Sequence, residues 1–277
     1  MTDHDADAVR RVAATPDPAL VARIASRTPL RYRAGADPSL DRPAHVRDGS
    51  GVALLGRRLA VVQDDANFLA LVEPRSGVVD AVPLPAGPGG LRQFDDGRAN
   101  KADKLDLEAC VAVPDDERGG LRLLAFGSGS TARRERVAEA RGLDGAAPAL
   151  DGAAAALTLH ELPAFYAALR AVPAFAGSEL NVEGVLYAAA AEASPDATRD
   201  GDVAGSALGV IVGDAHGGVT ARWAVVRDAG GEPFAGKIEG LVTTRESPAR
   251  CWAVVDGDDP AAPSELCLVE LEGPWYG

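Results

Sequence analysis

A chain of 277 residues with 47% apolar and 25% charged side chains can bury a large core, which excludes wholesale disorder. Its formal charge of −13 repels phosphate backbones and anionic headgroups, excluding nucleic acid and membrane surfaces as partners. No run approaches the roughly 18 apolar residues of a spanning helix, and the first residues lack the apolar middle of a signal peptide, so a cytoplasmic protein is expected.

Residues 1–18 read as a loose polar lead with one short helix around Ala6 to Ala13. From Ala19 to Arg33 partial alternation predicts strands that return to complete the unit begun at the other end of the chain. The first clear unit runs Ser50 to Leu55, Arg58 to Gln63, Phe68 to Val72 and Val78 to Leu84, four short strands joined by tight turns. Residues 85–100, rich in Gly, Pro and Asp, form a long loop to the next unit.

The second unit opens on Asp106-Leu107-Glu108-Ala109-Cys110. It continues as Leu121 to Phe126, Arg134 to Ala138 and Ala154 to His160, followed by a helix over Leu162 to Leu169 with Pro163 in its first turn. The third opens on Asn181-Val182-Glu183-Gly184-Val185, with strands at Ala207 to Val212 and Val219 to Val226. The fourth opens on Lys237-Ile238-Glu239-Gly240-Leu241, with strands at Cys251 to Val255 and Leu266 to Leu271. Repetition of four-stranded meanders at about 40–50 residues predicts an all-β single domain over 1–277. A β-propeller is the expected architecture, with five blades favoured over six and one helical insertion; a β-sandwich would not explain why similar acidic pairs begin successive units.

In each opening motif a polar residue stands two before a glutamate, on the same side of a strand by the period of two. Innermost strands converge on a propeller axis, so Glu108, Glu183 and Glu239 are expected together, with Asp106 and Asn181 as further oxygen donors. Such a set suits calcium, which takes six to eight oxygens; the bland alternative is that these glutamates only accept backbone hydrogen bonds. Arginines outnumber lysines 25 to 3, so it is informative that Lys101, Lys104 and Lys237 all stand near acidic motifs. Lys104 and Lys237 are expected to meet an anionic substrate group or to offset carboxylate repulsion. Gly127-Ser128-Gly129-Ser130 with Arg133 and Arg134 reads as an anion-binding concavity or, more simply, a strand-ending turn. Asp64-Asp65-Ala66-Asn67 and Asp256-Gly257-Asp258-Asp259 read as rim turns. Four scattered histidines offer no Ser-His-Asp triad, and Cys110, Cys251 and Cys267, without ligand spacing, are expected as reduced core residues.

Through Lys104-x-Asp106-Leu-Glu108-Ala, Phe126-Gly-Ser-Gly-Ser, Asn181-Val-Glu183-Gly and Lys237-Ile-Glu239-Gly, over about residues 48 to 272, the chain resembles a family of bacterial β-propeller proteins of unassigned role. It is similar, more distantly, to phytase-like, esterase-like and lactonase or strictosidine-synthase-like propellers. The resemblance implies inner strands carrying Glu toward a central channel, commonly around calcium. The active-site histidines of some lactonases have no counterpart. The expected function is hydrolysis of a small phosphate ester, ester or lactone; the alternative is a non-catalytic propeller that binds a ligand or a protein partner.

Overall fold

The computed structural model describes residues 12–143, 156–171, 188–191, 203–213 and 219–275. Among them the fold is mostly β, with one α-helix, α1 (Pro163–Arg170). The first meander is β4 (Gly49–Leu55), β5 (Arg58–Gln63), β6 (Phe68–Glu73) and β7 (Val78–Pro83), and β3 (Arg31–Tyr32) pairs parallel with β7 at its outer edge. The second is β8 (Leu107–Pro114), β9 (Leu121–Gly127), β10 (Arg136–Arg141) and β11 (Ala156–Glu161).

The last sheet joins both ends of the described chain. β15 (Lys237–Thr243), β16 (Arg250–Asp256) and β17 (Glu265–Glu272) are antiparallel, and β17 pairs along its length with β2 (Val21–Pro29). β2 in turn pairs parallel with β14 (Val219–Arg227), which carries β13 (Val203–Gly213) and β12 (Ala188–Ala191). The stretch expected to be a loose lead contributes β1 (Ala14–Pro16), parallel to β14 at Ala221 to Trp223. The helix expected around Ala6 to Ala13 falls almost wholly outside the described residues.

Strand alternation sorts the core into layers. In the first meander, Ala53, Leu55, Ala60, Val62, Leu69 and Leu71 point toward Leu107, Leu123 and Ala125 of the second. Their neighbours Val52, Leu59, Val61, Phe68, Ala70 and Val72 point the other way, against Val254 and Leu266. A sheet apolar on both faces must lie between two others, and the first meander does. The third layer gathers Ala22, Ile24, Ile238, Ala253, Val255 and Val269 around the buried thiols of Cys251 and Cys267. All three cysteines are free, and burial pushes the Cys110 and Cys267 thiols up to about 12.

This stacking sets β4 between β8 and β15. The backbones come close: a Cβ on Gly240 would stand 2.8 Å from the amide nitrogen of Val52, and one on Gly51 3.1 Å from the carbonyl oxygen of Glu108. Only glycine fits such an approach.

Candidate functional site

The three neighbouring strands begin alike. The register slips between Gly49 and Gly51 in β4, between Leu107 and Ala109 in β8, and between Ile238 and Gly240 in β15. Ser50, Glu108 and Glu239 therefore each sit at a bulge, which turns an extra side chain away from the ladder and is a frequent device beside functional sites. The repeat seen as Glu-Gly or Glu-Ala in sequence is thus a repeated bulge, and in the first meander its place is taken by Ser50. The Ser50 hydroxyl donates to the carbonyl of Leu107 and ties β4 to β8.

The residues before the bulges are equivalent as well. Asp64 N–H donates to Asp48 O at 2.9 Å and Ser128 N–H to Asp106 O at 2.9 Å, so Asp48 matches Asp106 and Asp64 matches Ser128. Asp48 and Asp106 both have positive φ, 47° and 58°, a conformation that aspartate tolerates better than most residues.

At the start of these strands stands Lys104, delivered by the loop between β7 and β8. Its ammonium donates to Asp64, lies 3.0 Å from Asp65 Oδ1 and 2.7 Å from Asp106 Oδ1, and its side chain is only 9% exposed. Burial opposes that charge, but the three carboxylates outweigh it and hold the lysine above its usual range. Asp106 also receives Arg134 Nη1 at 2.9 Å and the Ser128 hydroxyl. Burial pushes its carboxyl up, and the hydrogen bonds and the Lys104 charge more than reverse this, leaving Asp106 below the usual carboxylate range. Lys101 reaches Asp65 Oδ2 at 3.5 Å from the outer side.

Two carboxyls in the group shift the other way. Burial and then the Asp106 and Asp65 charges drive Asp64 well above its usual range, against the pull of Lys104. Glu108 is driven up by burial and by the charges of Asp64, Asp106 and Glu239. Carboxylate oxygens of Asp64, Asp106 and Glu108 lie within 4.8 Å of one another. Among the described residues, no hydrogen bond or ion pair reaches the Glu108 side chain. Surplus negative charge therefore concentrates between these three, where a proton or a cation relieves it.

Glu239 is held differently, by Lys237 Nζ at 2.9 Å, which also reaches Asp258 at 3.4 Å. Glu239 lines one end of a cleft of about 530 Å³ between β4, β8 and β15. The rest of its wall is apolar or small: Val52, Leu54, Val111, Phe126, Leu241 and Val242 are the large members. One charged group, Glu239, with the Cys110 thiol and the Thr243 hydroxyl in an otherwise apolar cleft of this size is a usual form of a small-molecule site.

Several expectations change. Lys104 and Lys237 spend their ammonium groups on carboxylates, so offsetting repulsion is what their contacts show. Arg134 joins the acidic group, whereas Arg133 turns outward to Asp103. The 127–130 segment is a strand-ending turn: its amides are taken by Asp106 O, Arg134 O and Ser128 Oγ, leaving no concavity for an anion. Asp64 and Asp65, read as a rim turn, stand at the centre; the signal was their place immediately after a strand that ends opposite Gly49. Asp256 accepts from Ser264 Oγ at 3.0 Å and from the Asp258 amide at 2.8 Å, which fits a turn. Asn181 and Glu183 lie outside the described residues, as do His4 and His216.

No helix among the described residues is long and apolar enough to cross a membrane. A model of a family of unknown function, DUF6929, matches residues 45–189, and a second, DUF6910, also of unknown function, matches residues 184–260. Neither the curated proteins nor the solved structures return a match.

Proposed function

The chain belongs to the DUF6929 family, whose model covers more than half of it, and we propose from its site that it is a β-propeller holding a divalent cation of the calcium class between Asp64, Asp106 and Glu108. One observation carries the reading: three carboxylates, one just past the end of β5 and two at the start of β8, converge within 4.8 Å, and among the described residues the Glu108 side chain meets no hydrogen bond or ion pair, only the more distant attraction of Lys104. Calcium binds oxygen at about 2.3–2.6 Å, so two of its ligands stand at most about 5 Å apart. The carboxylates fit that limit. The propeller is supported by three meanders whose first strands lie side by side with the same bulge.

A bound cation supplies a Lewis acid that polarises a phosphoryl or carbonyl oxygen. In this reading the protein hydrolyses a small ester, lactone or phosphate ester whose anionic end faces the cation. A second reading, a non-catalytic ligand binder, is favoured by Lys104, which already meets two of these three carboxylates, Asp64 and Asp106, and by the histidines. Among the described residues neither His45 nor His160 bonds a serine or cysteine: His45 meets Pro260 O and His160 meets Glu139.

Thermal melting of chelator-stripped protein with calcium, magnesium or EDTA separates these outcomes. A ligand that binds only the folded state stabilises by RT ln(1 + [L]/Kd), about 2.7 kcal/mol at a hundredfold excess over Kd. Calcium is expected to raise the melting temperature of the wild type and not of Glu108→Gln. No response of the wild type to any cation refutes the cation site. A response with no turnover of phosphate esters, esters or lactones leaves the binder.

A further inference from the structure

The cleft between β4, β8 and β15 is lined by one charged side chain, and that charge is negative: Glu239. Glu239 stands at one end of the β15 wall and Thr243 at the other, about 13 Å apart at roughly 3.3 Å per residue. Beside Glu239 the three strands come close at Gly51, Ala109 and Gly240, and beyond it the walls carry Leu54, Val111, Leu241 and Val242. Lys237 does not cancel the charge of this end. Its one ammonium is shared between Glu239 at 2.9 Å and Asp258 at 3.4 Å, and the Glu239 charge is felt by Glu108 at the neighbouring bulge. Lys104, the next ammonium, is held by Asp64, Asp65 and Asp106. Among the described residues carboxylates therefore outnumber cations here, within a chain whose formal charge is already −13. A buried anion would face like charges, whereas a cation is drawn in.

We infer that the cleft takes an aliphatic primary amine in its ammonium form, the ammonium against Glu239 and the hydrocarbon body running between β4, β8 and β15 toward Thr243. Charge complementarity sets the direction, since no charged side chain lines the cleft beyond Glu239. An alkylamine, like the lysine side chain, carries its proton at neutral pH, and its N–H groups make charge-assisted hydrogen bonds to a carboxylate. The apolar walls select the rest of the molecule. An amino sugar would bring a hydroxyl on nearly every carbon to side chains that answer only with the Thr243 hydroxyl and the Cys110 thiol, and hydroxyls buried without partners are costly. A volume of about 530 Å³ falls within the roughly 300–1,000 Å³ usual for small ligands. The inference stands apart from the cation reading, because none of Asp64, Asp106 and Glu108 lines the cleft.

The test is titration calorimetry of the full chain in EDTA with butyl-, hexyl- and octylammonium, and with octanol and octanoate as head-group controls. Each methylene is expected to tighten ammonium binding up to roughly fourfold until the cleft is filled, and octylammonium is expected to bind at least about tenfold more tightly than octanol or octanoate. Glu239→Gln should remove that preference and keep the chain-length gradient. Val111 is 43% exposed on the β8 wall, so Val111→Lys sets a positive charge in the cleft at little cost to folding and should abolish ammonium binding; it keeps the test open if the Glu239 variant fails to fold. Octylammonium that binds no tighter than octanoate, a preference that Glu239→Gln leaves unchanged, or binding that survives Val111→Lys overturns the inference. Ammonium binding by a protein whose melting temperature ignores calcium retains the amine and sinks the cation reading; a calcium response without ammonium binding does the reverse.

Discussion

Lys104→Met removes the ammonium that touches Asp64, Asp65 and Asp106 together, and its cost can be worked from the geometry. At an effective dielectric of about 20, unit charges some 4 Å apart attract by roughly 4 kcal/mol, while burying an ammonium costs several kcal/mol. The pairs therefore nearly offset the burial when intact. Removing the lysine leaves three facing carboxylates, of which Asp65 and Asp106 are 10% and 5% exposed and keep only Lys101 and Arg134, and such breakage typically costs about 3–5 kcal/mol. At roughly 2–4 °C per kcal/mol for a chain of this order of size, the melting temperature should fall by about 6–20 °C at pH 7.5. The pH dependence follows from the shifts. Lys104 is raised above 10.5, so its contribution is present below that value and is lost as pH rises through the folded pKa. Asp106 is lowered below 3.8, so its contribution is present above that value and is lost as pH falls through the folded pKa. The wild type holds both between about pH 4 and 10. In the variant, Asp64 and Glu108, already raised, take up protons first as pH falls, so its deficit should shrink between pH 7.5 and pH 5. Melting followed by tryptophan fluorescence at the two pH values, with Lys104→Arg as a charge-preserving control, measures this. A deficit under about 2 °C, or one of equal size at both pH values, would refute the account.

Two further substitutions probe how the site is held. Tyr166 of α1 donates to Gly127 O at 2.8 Å and to Arg136 O at 3.0 Å; Tyr166→Phe should cost about 1–3 kcal/mol and speed amide exchange in residues 127–136, and unchanged exchange there would dissociate the helix from the turn. Gly240→Ala places a Cβ 2.8 Å from the Val52 nitrogen and should cost about 1–3 kcal/mol through separation of β4 and β15, read as a lower urea midpoint; a neutral result would mean that the two strands are not held in close contact.

The sequence by itself determined the strands. Period-two alternation and Gly, Asp and Pro turns are local signals, and they place β4 to β7, β9 and β15 to β17 within a residue or two and the start of β8 within one. It also determined that Glu108 and Glu239 open equivalent units, because the repeat copies the bulge along with the residues. The tertiary structure decided which charges meet. Lys104 lies 40 residues from Asp64, and no local pattern reports that the long loop after β7 returns to the end of β5. Nor could it show that a lysine expected to face a substrate is surrounded by carboxylates, since that depends on the close approach of β4, β8 and β15. The Gly-Ser turn was ambiguous for a related reason: whether its amides were free was set by Arg134 and Asp106, partners fixed only when the strands pack. Side-chain alternation is written into the chain, whereas electrostatic balance is a property of the space between elements.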